Sequence, residues 1–126
     1  MIKLVYCLRR LPHLSRAEFQ QYWRETHGPL VRSHAEVLRI RRYVQVHTLD
    51  TPLNDVIGKS RGAAEAYDGV AELWFESAEE LAAGTRSAEG RQAALELLED
   101  EQRFIDIARS SLWIGEEHPV VEAASE

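Results

Sequence analysis

At 126 residues, with 44% hydrophobic and 29% charged side chains, the chain has the size and balance of one globular domain built on one core. A formal charge of −6 excludes a general binder of nucleic acid or of anionic membrane, since both need clustered Lys and Arg to meet phosphate. Cys7 is the single cysteine, which excludes an intrachain disulfide framework. No secretory leader is expected past Lys3, Arg9 and Arg10, and no run approaches the roughly 20 apolar residues of a spanning helix, so a cytoplasmic protein is expected.

Ile2 to Arg9 alternates, with Ile2, Leu4, Tyr6 and Leu8 on one face and Lys3, Val5, Cys7 and Arg9 on the other, the period of a strand. Pro12 closes it. Ser15 and Glu18 have the spacing of a capping box, and Leu14 can pack on Phe19 as a hydrophobic staple, so a helix starts at Ser15. Its apolar stripe is Phe19, Tyr22 and Trp23. Gly28-Pro29 is expected to bend or end that helix just after His27, because Pro29 clashes with the preceding turn. Leu30 to Leu38 then resumes as a shorter helix.

Arg39 to Leu49 reads as a second strand, with Ile40, Val44 and Val46 on one face and Arg41, Tyr43, Gln45 and His47 on the other. Residues 50–68 are long for a connection and suggest a functional loop or a short helix around Ala63 to Tyr67. Val70 to Phe75 is a third strand. Ser77 with Glu80 repeats the capping spacing and opens a short helix ending near Gly84. A longer helix runs from Ser87 or Glu89 to Ala108 on a stripe of Leu97, Leu98, Phe104, Ile105 and Ala108, and Leu112 to Ile114 is a last strand. One domain over residues 1–115 is expected, followed by an acidic tail over 116–126 that is frayed unless a partner holds it.

The order β-α-β-β-α-β is that of an α+β, ferredoxin-like fold with a four-stranded antiparallel sheet. Both long helices on one face leave the other face uncovered. That face is expected to carry Tyr, Trp, Gln and His side chains and to be covered by a second copy, giving a sheet-to-sheet homodimer.

His27 is the first candidate for chemistry, since an imidazole at a helix bend can exchange a proton near neutrality. The same pattern suits a histidine that completes a helix C-terminus or packs in the core. Tyr22 and Trp23 are core side chains that can also form apolar walls. Asp68-Gly69 is a turn signal, and its carboxylate can serve an Asx turn or orient an imidazole. Tyr43, Gln45 and His47 share a strand face and can line a cavity, as can Glu72 and Trp74 on the third strand; which face does so is left open. The five histidines are scattered without HxH, HExxH or CxxC spacing, so no metal site is expected, and no phosphate loop, nucleophile elbow or dinucleotide fingerprint occurs.

The block Phe19, Tyr22, Trp23, His27, Gly28, Pro29, followed by Tyr43, Asp68-Gly69, the run Val70 to Phe75 and Phe104, resembles the EthD family of the dimeric α+β barrel superfamily over roughly residues 1–115. The resemblance implies a dimer with face-to-face sheets and a pocket between sheet and helices. It also implies a small hydrophobic, aromatic or lactone-like molecule handled by acid/base groups without a bound cofactor. Carried onto this chain, it makes His27 the acid/base or substrate-orienting residue; around it, Asp68 is expected to assist and Tyr22, Trp23, Tyr43, Gln45 and Trp74 to surround the substrate. The expected function is isomerisation, dehydration or cyclisation of a small cyclic metabolite. The alternatives are a non-catalytic binding or accessory dimer and an oxygenase-like barrel, although no axial-ligand motif singles out haem.

Overall fold

Strand β1 (Ile2–Leu8) sets the geometry of the molecule through its alternation. Leu4, Tyr6 and Leu8 point to the helix side, and Leu8 is 1% exposed. The computed structural model describes residues 1–124, so Ser125 and Glu126, the last two positions of the acidic tail, lie outside the described residues. Four antiparallel strands lie in the order β2-β3-β1-β4, with β2 at Arg42–His47, β3 at Gly69–Phe75 and β4 at Ser111–Gly115. This is the ferredoxin-like α+β arrangement expected from the chain order. No helix among the described residues is long and apolar enough to cross a membrane.

Helix α1 (Arg16–Tyr22) opens on the expected capping box, with Ser15 Oγ accepting from Glu18 N and Glu18 Oε1 accepting from Ser15 N. It does not stop at Gly28-Pro29. The chain passes through one wide turn with i→i−5 hydrogen bonding, Trp23–His27, straight into α2 (Gly28–Leu38). Pro29 has no N–H to offer the preceding turn. Within the wide turn Gly28 N–H donates to Trp23 O, and Gln45 Nε2 donates to the same carbonyl at 2.9 Å.

Helix α2 ends at Arg39, whose left-handed backbone (φ 63°) turns the chain, so β2 starts at Arg42 and not at Arg39. The long connection does hold a helix, but at α3 (Pro52–Ser60) and not at 63–67; Thr51 caps it and Pro52 occupies its first turn. After α4 (Ala78–Ala83), α5 spans Ala88–Glu101 and stops seven residues short of Ala108. The reason is competition from β1's extension. Leu11 N–H donates to Phe104 O, Asp106 N–H donates to Arg9 O, and Arg10 bridges Ile105. Phe104 and Ile105 are therefore core residues beyond the helix, while Leu98, expected on the core stripe, is 43% exposed.

The core lies between α1, the wide turn, α5 and the inner sheet face, around Phe19, Trp23 and Phe104. Their rings meet at tilted angles with centroids 5.5 and 5.6 Å apart. The opposite sheet face has no helix over it. It carries Val5, Val44, Val46, Val70, Glu72, Trp74 and Trp113, as the register requires; of the Tyr, Trp, Gln and His side chains expected there it has the tryptophans, while Tyr43, Gln45 and His47 lie on the other face. Lys3 Nζ pairs with Glu72 Oε1 at 3.0 Å in the middle of that face, and both Lys3 and Arg42 sit over the Trp74 ring.

Candidate active site

The continuous helical run from α1 to α2 aims Trp23, His27 and Val31 at the inner face of the sheet. Between them lies a cavity of about 390 Å³, within the size range of small-molecule sites. Its floor is Leu4, Tyr6 and Leu8 of β1 with Ala71, Leu73 and Phe75 of β3. Leu97 and Glu101 of α5 form another wall, and Leu112 and Ile114 of β4 lie along one side. Those two remain 54% and 49% exposed, marking the side on which the cavity opens. The lining contains no Lys or Arg; its ionisable and hydroxyl groups are Tyr6, His27, Tyr43, Thr85 and Glu101.

His27 is 5% exposed and is held by a carboxylate that the sequence pattern did not single out. Asp100 Oδ2 lies 2.8 Å from His27 Nδ1. The other oxygen, Oδ1, accepts from Tyr22 Oη at 2.5 Å and from Arg103 Nη1 at 3.1 Å. Burial alone would raise the Asp100 carboxyl, but these donors outweigh it and hold the group below the ordinary carboxylate value. Asp100 is thus an ionised acceptor, and Nδ1 of His27 must carry the proton that bonds to it. Burial also lowers the His27 pKa, against the pull of Asp100, so the ring is neutral at neutral pH. The lone pair then resides on Nε2, which has no hydrogen-bond partner among the described residues, on a ring that lines the cavity. A neutral imidazole with one nitrogen anchored to carboxylate and the other free has the chemistry to accept a proton, and a carboxylate placed as Asp100 is would stabilise the imidazolium so formed.

Among the other expected residues, Trp23 and Tyr43 line the cavity. Trp23 is clamped by the close approach of Gly69, where an added Cβ would sit 2.8 Å from the indole Cη2, and by stacking on His47 at 4.5 Å. Tyr22 touches Asp100 and Phe104, behind the cavity lining, and its hydroxyl helps fix the carboxylate that His27 meets. Gln45 bonds Trp23 O, Tyr43 Oη and His47, and borders a neighbouring groove with Arg24, Gly28 and Arg32. Trp74 and Glu72 belong to the open sheet face; Trp74 Nε1 donates to Glu117 in the tail.

Asp68 is not brought to His27. It is 4% exposed and accepts from Arg10 N at 2.8 Å, Arg10 Nη1 at 2.5 Å and Arg16 Nε at 2.9 Å, tying β1's end to α1 beside a separate small cleft. The carboxylates that do reach the site, Asp100 and Glu101, stood in the run Leu97-Leu98-Glu99-Asp100-Glu101 without comment. The available signal was position. Asp100 falls three residues after Leu97, seven after Ala93 and four before Phe104, a polar side chain on an apolar stripe. Among the described residues, no group of three or more His, Cys, Asp or Glu side chains converges in metal-binding geometry.

A family model for the EthD domain matches residues 11–108. Solved structures share the fold. An ethyl tert-butyl ether D (EthD) family protein from Bacillus halodurans C-125 is 22% identical with a TM-score of 0.61, covering 94% of this chain and 99% of that one. An EthD-like protein from Ralstonia eutropha JMP134 is 20% identical with a TM-score of 0.60, covering 91% and 90%. A dimeric ferredoxin-like protein of unknown function from Thermobifida fusca YX is 13% identical with a TM-score of 0.56, covering 92% and 90%. No curated protein matches the chain.

Proposed function

The chain belongs to the EthD family, and on that premise we propose that it is a proton-transfer enzyme that works with its own side chains on a small cyclic, aromatic or lactone-like metabolite. The observation that carries this reading is the His27–Asp100 pair, with its free nitrogen on an apolar cavity. His27 Nε2 removes a proton from carbon, or from a hydroxyl, and returns it elsewhere on the same molecule. Isomerisation, dehydration and cyclisation all reduce to that pair of transfers. Trp23 and Tyr43 pack against the substrate, and the leucines of the floor exclude water, which strengthens every electrostatic contact inside. General acid/base catalysis contributes about 10²–10⁴-fold, which suits a C–H already acidified by a neighbouring carbonyl.

The same proposal includes a homodimer through the open sheet face. Its support is the run of valines and two tryptophans left there without a helix, in a fold shared with the dimeric Thermobifida protein.

The test uses β-tetralone, an enolisable cyclic ketone, in deuterium oxide, with loss of its α-proton signals followed by NMR. Wild-type protein is expected to speed the exchange, and a folded His27→Ala variant to lose about 10²-fold or more. A folded His27→Ala protein that exchanges the ketone as fast as wild type would end the reading in favour of a binding module.

A further inference from the structure

Glu101 lines the same cavity as His27 and takes no part in the dyad. It directly follows Asp100, yet the two carboxyls have opposite surroundings. Asp100 receives three donors, one of them a guanidinium. Glu101 has no ion-pair partner among the described residues, and no Lys or Arg lines its cavity. The groups that face it are the Tyr6 hydroxyl from β1, Tyr43 from β2 and His27 from the wide turn, with the Asp100 charge beside it on its own helix. It is also the last residue of α5, where the helix dipole disfavours a negative charge. Burial first, and then the Asp100 charge, push its carboxyl up to about 7, with the Tyr6 hydroxyl acting in the other direction. A carboxylic acid that keeps its proton near neutrality therefore shares a cavity with an imidazole that lacks one. Acid and base assignments in a site are made by such a divergence of environments.

We propose that Glu101 is the catalytic acid complementary to His27, and that the substrate is an uncharged cyclic ketone or lactone whose carbonyl oxygen accepts the Glu101 proton. The inference rests on the reading of His27 as the base. In the forward step Nε2 takes the proton from the carbon next to the carbonyl, and that C–H bond breaks. Its electron pair becomes the C=C bond, the C=O π pair moves to oxygen, and the oxygen takes the proton from Glu101. The enzyme is left with an imidazolium on Asp100 and a carboxylate at Glu101. The enol then returns its O–H proton to Glu101 and receives a proton on carbon from His27, at the same carbon or at a conjugated one, so no oxidant or further reactant enters. An anionic substrate is disfavoured because the lining offers no cation and the dyad already carries a negative charge.

The β-tetralone exchange assay, run from acid to alkaline pH, separates this inference from the reading beneath it. Glu101→Gln is expected to lower the rate by about 10²–10⁴-fold and to abolish the fall in rate above about pH 7, while keeping the acid-side fall set by His27. A slow His27→Ala beside a Glu101→Gln with wild-type rate and an intact alkaline limb overturns the role of Glu101 and leaves His27 as base. Both variants at wild-type rates overturn both. A second measurement needs no substrate and no variant in the folded comparison: carboxyl-carbon NMR of the wild-type protein across pH. A Glu101 carboxyl that titrates near the ordinary value of about 4.3 removes the acid whatever the probe does.

Discussion

Replacing Asp100 by Asn keeps the side chain's shape and changes what it can accept. Oδ1 takes two donors, Tyr22 Oη and the Arg103 guanidinium, whereas Oδ2 takes only His27 Nδ1. The amide therefore keeps its oxygen toward Tyr22 and Arg103 and turns its NH₂ toward His27. Nδ1 must then accept, so the single ring proton moves to Nε2 and the lone pair facing the cavity disappears. The imidazole stays in place and ceases to be a base. The expected loss in β-tetralone exchange is about 10²–10⁴-fold, with the Michaelis constant little changed. One charge-assisted hydrogen bond to a buried ring becomes a neutral one, and Arg103, being solvent-exposed, regains water. The stability cost is about 1–3 kcal/mol, at about 4 °C in Tm per kcal/mol for a chain of 126 residues. Nitrogen NMR of the imidazole reports the tautomer, and a thermal melt reports the cost. A folded variant that keeps the proton on Nδ1 and exchanges ketone at the wild-type rate refutes the reasoning.

Asp68→Asn is expected to cost about 2–3 kcal/mol by thermal melt, since three donors lose a buried charge but the two arginines regain water, and to leave ketone exchange unchanged because Asp68 does not line the cavity. Burial raises both the Asp68 and the Asp100 carboxyl, yet their donors hold each below its ordinary value. Their stabilisation is therefore complete above the unfolded carboxyl value of about 3.9 and lost as pH falls through the folded values, a loss that acid titration of the melt should show shrinking in either Asn variant. Gly69→Ala places a Cβ 2.8 Å from Trp23 Cη2 and 2.9 Å from Val46 O, so overpacking of about 1–3 kcal/mol and a displaced indole are expected, read by melting and by tryptophan fluorescence. Val46→Lys on the open sheet face should give monomer in sedimentation while the cavity's exchange chemistry persists; an unchanged dimer would move the interface elsewhere.

Local rules carried far along this chain. The alternation of Ile2 to Leu8 and the Ser15–Glu18 capping box act within a few residues, and both appear in the structure as read. Misreadings arose where a distant partner decided. Gly28-Pro29 reads as a break, yet the helical run passes it through a wide turn whose Trp23 carbonyl also accepts from Gln45 of β2. The stripe through Phe104 and Ile105 reads as helix until Arg9 to Leu11 offer those residues extended pairing. Distant partners also decide where the carboxylates lie. Asp68 has the local signature of a turn carboxylate, and Arg10 and Arg16 claim it, whereas Asp100 lies on a helical stripe and its partner is a histidine 73 residues earlier.

The wide turn at Trp23–His27 also has an arithmetic consequence for helical phase. Phe19, Trp23, His27 and Val31 are all buried and are spaced by four. In an unbroken α-helix each step of four overshoots a full turn by about 40°, so four such side chains would smear across about 120° of arc. Widening one turn absorbs that drift and keeps an aromatic anchor, the histidine and an aliphatic wall on one meridian. The extra residue that the wide turn holds is what sets this phase. Its removal would rephase everything from Gly28 to Leu38 relative to the sheet. Deletion of Thr26 should therefore be far more damaging than deletion of Ala64 in the exposed stretch before β3, even though neither removes a charged side chain.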